Sequence, residues 1–538
     1  MQSTEFRPWH KYYTEEQLNI TFPEKSLYSI LRESVQNYQD HTAITFSDKT
    51  TTYRELKTKV DELAGSWKQL GLKKGDRIGL MMANHPDYII SYYAAIALGL
   101  IIVQINPNYT PRELLQILED SQVSSIVVDK TSYAAIRAVE DFYSFNRIFT
   151  SQFRDEESGA IPLDQCFVPD NALQTETPID AKEDVAIIQY TGGTTGKIKG
   201  AMLTHYNLGM NVYQSYMMTR TKINLGKETM LAATPLYHVY GMSSAMNLGI
   251  FIGANILLFS KFETKPVLEA IKKYRPTFFP GVPKMYISIV NHPDAKQYGL
   301  NSLKICASGS APLPVEIITK FEEISGTTIY EGFGMSETSP TTHRNPVNAK
   351  PKIGSIGIPV PGTDCMIVDR SGRPLEPKMI GELVIKGPQV MKGYWRNEAE
   401  TKQVLQDGWL HTGDLATMDE DGYFYIVGRM KEMIISGGFN IYPQEIESVL
   451  YEYQDIEEAA VVGIPDKESS EIVKAYIVPK KGCKIDIDDL RSFCYGRLTP
   501  YKVPKVFEIR DSLPRNGVGK LLKRLLIKEE IDKGENQR

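Results

Sequence analysis

The segment Thr191-Gly192-Gly193-Thr194-Thr195-Gly196-Lys197-Ile198-Lys199-Gly200 concentrates glycine, threonine and lysine. Glycine lets a backbone turn sharply and aim its N–H groups at an anion. Threonine hydroxyls donate to phosphate oxygens, and lysine adds positive charge. The composition points to a polyphosphate cradle in one loop. It is not a Walker A loop, which needs glycine five positions before the Gly-Lys pair and Ser or Thr after the lysine. Thr191 stands at the first position and Ile198 at the second. The bland alternative is a flexible surface loop, which the density of threonine and lysine disfavours.

Further clusters lie at wide spacing. Ser308-Gly309-Ser310-Ala311-Pro312 is a small-residue turn after a strand-like run at 303–307. Tyr330-Glu331-Gly332-Phe333-Gly334-Met335-Ser336-Glu337-Thr338 joins an aromatic, glycines, a hydroxyl and a carboxylate. Trp409-Leu410-His411-Thr412-Gly413-Asp414 sets a carboxylate after a turn, and Tyr425-Ile426-Val427-Gly428-Arg429 runs a strand into an arginine. Ser436-Gly437-Gly438-Phe439 opens a glycine turn that leads into a helix, and Pro514-Arg515-Asn516-Gly517-Val518-Gly519-Lys520 ends on a lysine. His238 is isolated in Pro235-Leu236-Tyr237-His238-Val239-Tyr240-Gly241. Taken alone, such a histidine is more often a satisfied core residue than a functional one.

The elements that must position these groups follow from periodicity. Residues 26–39 and 52–70 read as helices, the second opened by Thr-x-x-Glu chemistry close to a capping box. Residues 42–46, 77–82 and 124–128 read as strands, with a helix at 111–121. This order predicts an α/β domain with largely parallel strands, and the rhythm resumes over 207–330. Residues 353–427, rich in glycine, proline and β-formers, predict a β-rich subdomain. After Arg429-Met430-Lys431-Glu432 short α/β units return, so the expected domains are 1–428 and 429–538 with a boundary in that charged segment. Residues 88–105 carry no charge, but Ser91, Tyr92, Tyr93, Gly99 and Gln104 interrupt them. They predict a buried helix ending near Gly99 and then a buried strand, not a membrane span.

Composition bounds the function. A chain of 538 residues exceeds one core. Hydrophobic residues at 42% and charged residues at 24% are ordinary for a soluble globular protein. A net charge of -5 argues against a general nucleic-acid binder. Five cysteines without a CxxC pair suit reduced thiols in a cytoplasmic protein. Met1-Gln2-Ser3-Thr4-Glu5-Phe6 has no apolar run of the kind that starts a signal peptide.

Taken in order, these motifs resemble the adenylate-forming superfamily of acyl-CoA synthetases, amino-acid adenylation domains and luciferases, most closely its fatty-acyl-CoA and aryl-CoA ligases. The resemblance runs over roughly residues 25–525. It implies a large N-terminal domain of two α/β sheet subdomains plus a β-barrel, and a small mobile α+β C-terminal domain hinged near Lys431. It implies that Thr191, Gly192, Gly193, Thr194, Thr195, Gly196, Lys197 and Lys199 hold the ATP phosphates. Glu337, helped by Thr191, would bind Mg²⁺, a hard cation suited to oxygen ligands. Ser336 would contact the α-phosphate and Phe333 would stack on adenine, with Gly309, Glu331 and Gly332 beside them in the nucleotide set. Asp414 and Arg429 would take the ribose. His238 would gate the carboxylate and ATP pockets. Lys520 would reach the α-phosphate during adenylation, and rotation about Lys431 would then bring Gly437 and Gly438 in for the coenzyme A step.

The family pattern is departed from in two places. Ile198 stands where proline is usual, and Ile434 and Ile435 stand where some members carry a lysine after the hinge. The implied reaction is ATP-dependent activation of a carboxylic acid as its adenylate, then transfer of the acyl group to coenzyme A. No Asp or Glu occurs over 231–262, which disfavours an amino-acid substrate, and the apolar run 239–259 suits an uncharged tail. A medium- or long-chain fatty acid is the expected substrate, with Gly241 and Ala245 leaving space for it; the alternative is an aryl-CoA ligase acting on an acid such as a cinnamate. Outside the family the rivals are a P-loop-like phosphotransferase and a silent ATP/acyl-binding module. Expected partners are the acid, ATP and coenzyme A, with no nucleic acid, no transmembrane segment and room for peripheral membrane contact. The expected assembly is a monomer or homodimer.

Overall fold

The computed structural model describes residues 7–21, 23–192, 198–436, 439–466, 469–515 and 521–535. Local chemistry sets many element boundaries. The Thr52 hydroxyl accepts from the Glu55 N–H at 3.2 Å while the Glu55 carboxylate accepts from the Thr52 N–H at 2.7 Å. This capping box starts the Tyr53–Gln69 helix, and Thr110 with Glu113 repeats it before Pro111–Ser121. Pro86 opens the Pro86–Leu98 helix, and Gly99, at φ 68°, closes it. Asp87 through Leu98 are all buried, and the strand Ile101–Gln104 follows. The uncharged stretch is therefore core, and no described helix is long and apolar enough to cross a membrane.

The chain divides into two compact units. The larger comprises residues 7–365 and 385–410. It holds two sheets. One runs Gly393–Tyr394, Ile198–Thr204, Val185–Gly192, Ile101–Gln104, Arg77–Met81, Ser125–Asp129, Arg147–Ser151, Ile161–Pro162, and is parallel from Val185–Gly192 onward. The other runs Ile358–Pro359, Thr341–Arg344, Ile329–Gly334, Ile305–Ser308, Phe278–Gly281, Thr229–Ala232, Asn255–Leu258, Thr42–Phe46, Lys49–Thr52. Apolar helix faces cover these sheets: Tyr286 and Phe321 join Leu231 and Phe279 in one core, and Leu114, Ile117 and Leu118 join Met81, Val103, Ile126 and Ile188 in another.

Strand Thr42–Phe46 pairs antiparallel with the next strand, Lys49–Thr52, and on its other side in parallel with Asn255–Leu258, about 210 positions on. Periodicity identifies a strand but not its neighbour, because the pairing partner is fixed by tertiary packing.

The smaller unit comprises residues 366–384 and those described from 411 on. In it Phe424–Arg429 pairs antiparallel with residues 414–418, Asp414 opposite Arg429 and Met418 opposite Phe424, within the β-rich segment expected from composition. A further sheet is built on the long antiparallel pair Ile456–Asp466 and Ser470–Pro479. Its two faces alternate by residue, as a pleated strand requires. Val461 and Ala475 meet Ile446, Leu450 and Leu490, while Val462 and Tyr476 meet Leu526. Lys474 is 4% exposed, and Glu508 and Glu530 neutralise it at 2.7 and 2.8 Å. All five cysteines are free thiols.

Candidate functional site

The two ends of the phosphate-like segment lie on paired strands. Thr191 and Gly192 end the strand Val185–Gly192, and Lys199 lies in Ile198–Thr204, with Thr191 opposite Lys199 and Gly192 opposite Ile198. The β-branched Thr191 and Ile198 suit such a ladder, which the loop expectation overlooked. Gly200 must be glycine, because a Cβ there would lie 2.5 Å from the Ile188 side chain. Gly193, Thr194, Thr195, Gly196 and Lys197 lie outside the described residues. Lys199 is half-buried, ion-pairs with Glu400 and sits 5.4 Å above the Tyr394 ring.

Tyr394 connects this strand pair to the carboxylate at 337. Its hydroxyl donates to Glu337 Oε1 at 2.9 Å, and the Met391 N–H donates to the Glu337 carbonyl at 2.8 Å. Glu337 lies in the short turn Ser336–Thr338 and is 8% exposed; Ser336 beside it is half-buried. The turn follows the strand Ile329–Gly334, which carries Glu331, Gly332 and Phe333. Gly334 approaches so closely that a Cβ would lie 2.1 Å from the Pro340 carbonyl oxygen. The Glu331 carboxylate accepts from the N–H groups of Leu313 and Gly354 at 3.4 and 3.3 Å, and its burial raises its pKa. Phe333 meets His343 edge-on at 6.1 Å.

Lys199, Tyr394 and Glu337 are thus brought together. Tyr394 and Glu400 were not singled out from sequence; Gly393-Tyr394-Trp395 after a strand-forming run was the only signal for the first. Among the described residues no group of three His, Cys, Asp or Glu could hold a metal. A lone carboxylate with one oxygen engaged by Tyr394 fits a cation carried mainly by phosphate oxygens and water, the habit of Mg²⁺, rather than an all-protein cage.

His238 caps the turn Val239–Gly241. Its Nδ1 accepts from the Tyr240 N–H at 3.3 Å, and the residue is half-buried. The π-helical stretch Met242–Asn247 continues from it and is wholly buried. Most of the apolar run is therefore core. Gly241 does not leave space: a Cβ there would lie 2.2 Å from the Pro235 carbonyl oxygen. The helix turn packs directly on that carbonyl, which corrects the expectation of room at this position. Ala245 is likewise fully buried. Tyr240 points its hydroxyl at the carbonyls of Gly281 and Ala307, at 3.2 and 3.4 Å. Gly309 lies against the Tyr240 ring, where a Cβ would be 3.4 Å from Cζ.

In the smaller unit Asp414 and Arg429 are register partners on adjacent strands. Arg429 Nε lies 3.0 Å from Asp414 Oδ1, and Asp414 is 2% exposed. Lys431 is exposed in the turn Met430–Glu432. Next to it, Glu432 reaches Lys523 at 3.5 Å, and Lys523 pairs with Glu447 at 2.7 Å. Gly437, Gly438 and Lys520 lie outside the described residues.

The sequence profile of the AMP-binding enzymes matches residues 31–395, and that of the AMP-binding enzyme C-terminal domain matches 445–520. A long-chain-fatty-acid–CoA ligase of Bacillus subtilis is 42% identical over 552 aligned residues, covering 98% of each chain. Its Escherichia coli namesake is 36% identical, over 95% of this chain and 96% of its own. Among solved structures, an anthranilate CoA ligase in complex with anthranoyl-AMP superposes with a TM-score of 0.89 at 25% identity, over 96% of this chain and 99% of the other.

Proposed function

We propose that this chain, which belongs to the AMP-binding enzyme family, is an AMP-forming ligase that activates a fatty acid with ATP and passes the acyl group to coenzyme A. The observation that carries the reading is the buried Glu337 carboxylate, oriented by Tyr394 beside the paired strands of Thr191 and Lys199, in a chain 42% identical to a ligase of that name. Phosphoryl chemistry requires neutralised charge and in-line positioning more than an acid or base. Mg²⁺ held by Glu337, with help from Thr191, would supply part of that neutralisation.

This chain's own residues do the rest. The Thr191–Lys199 segment positions the phosphates, and Phe333 with the Gly309, Glu331 and Gly332 backbone takes the adenine. Ser336 contacts the α-phosphate. Asp414, oriented by Arg429, takes the ribose hydroxyls. His238, fixed at a helix start by its bond to the Tyr240 N–H, sets the acid's carboxylate. That carboxylate attacks the α-phosphorus and pyrophosphate leaves, with Lys520 stabilising the charge. Lys431 is the pivot after which Gly437 and Gly438 serve the second step, in which the coenzyme A thiolate attacks the acyl carbon and AMP leaves. We place the reaction in the cytoplasm, a compartment that the five free thiols suit.

The likeness to the Bacillus ligase favours an aliphatic acid over an aromatic one, since the anthranilate ligase is the more distant relative. A panel of fatty and aromatic acids scored by coenzyme-A-dependent AMP release tests this. Fatty acids should lead; ADP as the product would overturn the reading, and turnover confined to cinnamate or benzoate would replace the substrate.

A further inference from the structure

Arg344 ends the strand Thr341–Arg344, opposite Gly332, and is 6% exposed. Its Nε and Nη2 are buried without a hydrogen-bond partner among the described residues. Its Cζ lies 5.6 Å from the centre of the Phe278 ring. The ionisable groups that act on it are the hydroxyls of Tyr240, Tyr286 and Tyr330, with no carboxylate among them, and burial works against its charge. A guanidinium so placed is costly until something supplies acceptors.

Its surroundings say where those acceptors come from. Tyr240 belongs to the turn that His238 caps and lies against Gly309. Arg344 therefore shares a neighbourhood with the segment assigned above to the acid. Nε and Nη2 form one edge of the guanidinium, a fork that matches the two oxygens of a carboxylate. A methyl-ended tail against that edge would leave both donors unsatisfied.

We propose that Arg344 receives a second carboxylate, at the far end of the acid being activated, so that the enzyme accepts α,ω-dicarboxylic acids. The proposal rests on the ligase reading, and the test separates the two. Acids of matched chain length, one ending in methyl and one in carboxylate, are compared by kcat/KM for AMP release with ATP and coenzyme A. Wild-type protein should turn over a dicarboxylic acid at least as efficiently as its methyl-ended match. Arg344→Met should lower the ratio of dicarboxylic to monocarboxylic efficiency by about 10²-fold, mostly through KM, the scale of losing a buried charge-assisted contact. Arg344→Lys, which keeps the charge but not the fork, should fall between. Wild-type protein that uses methyl-ended acids but no dicarboxylic acid of any length overturns the role of Arg344 and leaves the ligase reading standing. An unchanged ratio in Arg344→Met overturns it as well. Absence of AMP with every acid overturns the ligase reading itself. The wild-type comparison decides the matter even if Arg344→Met does not fold.

Discussion

Tyr394→Phe removes one hydroxyl and little else. The ring that underlies Lys199 at 5.4 Å remains, as does the Tyr394 N–H bond to Thr401 Oγ1 at 2.9 Å. What is lost is the 2.9 Å bond to Glu337 Oε1. A hydrogen bond to a charged acceptor contributes about 1.5–3 kcal/mol. Glu337 is 8% exposed, so water recovers little of this in the variant. At about 1.4 kcal/mol per factor of ten, the whole loss corresponds to roughly 10- to 150-fold. If Tyr394 acts by orienting Glu337 toward a cation, the loss falls on Mg²⁺ dependence. Fatty-acid-dependent ATP–pyrophosphate exchange, titrated with Mg²⁺, should need about tenfold more cation for half-saturation. A urea midpoint measured alongside reports the structural share. Lower stability with an unchanged Mg²⁺ titration would refute the reasoning and leave Tyr394 a packing residue.

Lys520→Ala should reduce adenylation by about 10²–10³ while sparing thioester formation from supplied acyl-adenylate; equal loss in both half-reactions would remove its assigned role. Lys431→Pro, which fixes φ at the proposed pivot, should leave pyrophosphate exchange near normal and impair transfer to coenzyme A; the reverse pattern would move the pivot elsewhere. Gly241→Ala should destabilise by about 1–3 kcal/mol through overpacking against Pro235, read as a lowered urea midpoint; an unchanged midpoint would contradict the contact. Burial depresses His205 to about 4 and His343 to about 3, both from 6.5, so each stays neutral when folded while the unfolded chain takes up protons below pH 6.5. The stability they contribute is complete above pH 6.5 and falls on acidification toward pH 4 by up to about 1.4 kcal/mol per pH unit for each histidine. Urea midpoints from pH 7 to 4.5 should show a shallower slope in His205→Gln than in wild type, and identical slopes would count against it.

Local rules were legible in the sequence where a few adjacent residues decide the outcome. Thr52 and Glu55 announce a helix start, Gly99 a helix end, and Thr191 with Ile198 exclude a Walker loop, each from short-range chemistry. Groups that depend on distant partners were not legible. Thr42–Phe46 reads as a strand, but its neighbour Asn255–Leu258 is set by packing. Tyr394 and Glu337 lie 57 positions apart, and Lys199 and Glu400 201 apart, so no spacing rule joins them. Gly241 looked like room for a ligand and is instead a close backbone contact, because glycine marks both and only the facing Pro235 carbonyl distinguishes them. Arg344 sits at the end of a short strand with nothing in its neighbours to signal a buried cation. The role of Lys520 was readable only through resemblance to a family, because alone it is one lysine of a basic tail.

The central claim is attack of the acid's own oxygen on the α-phosphorus of ATP. A fatty acid carrying ¹⁸O in both carboxylate positions, incubated with the protein, ATP, Mg²⁺ and coenzyme A, follows that oxygen directly. The account predicts AMP carrying one ¹⁸O, unlabelled pyrophosphate, and an acyl-CoA that keeps the other label. Label in inorganic phosphate with ADP as the product, or AMP free of label, would contradict it.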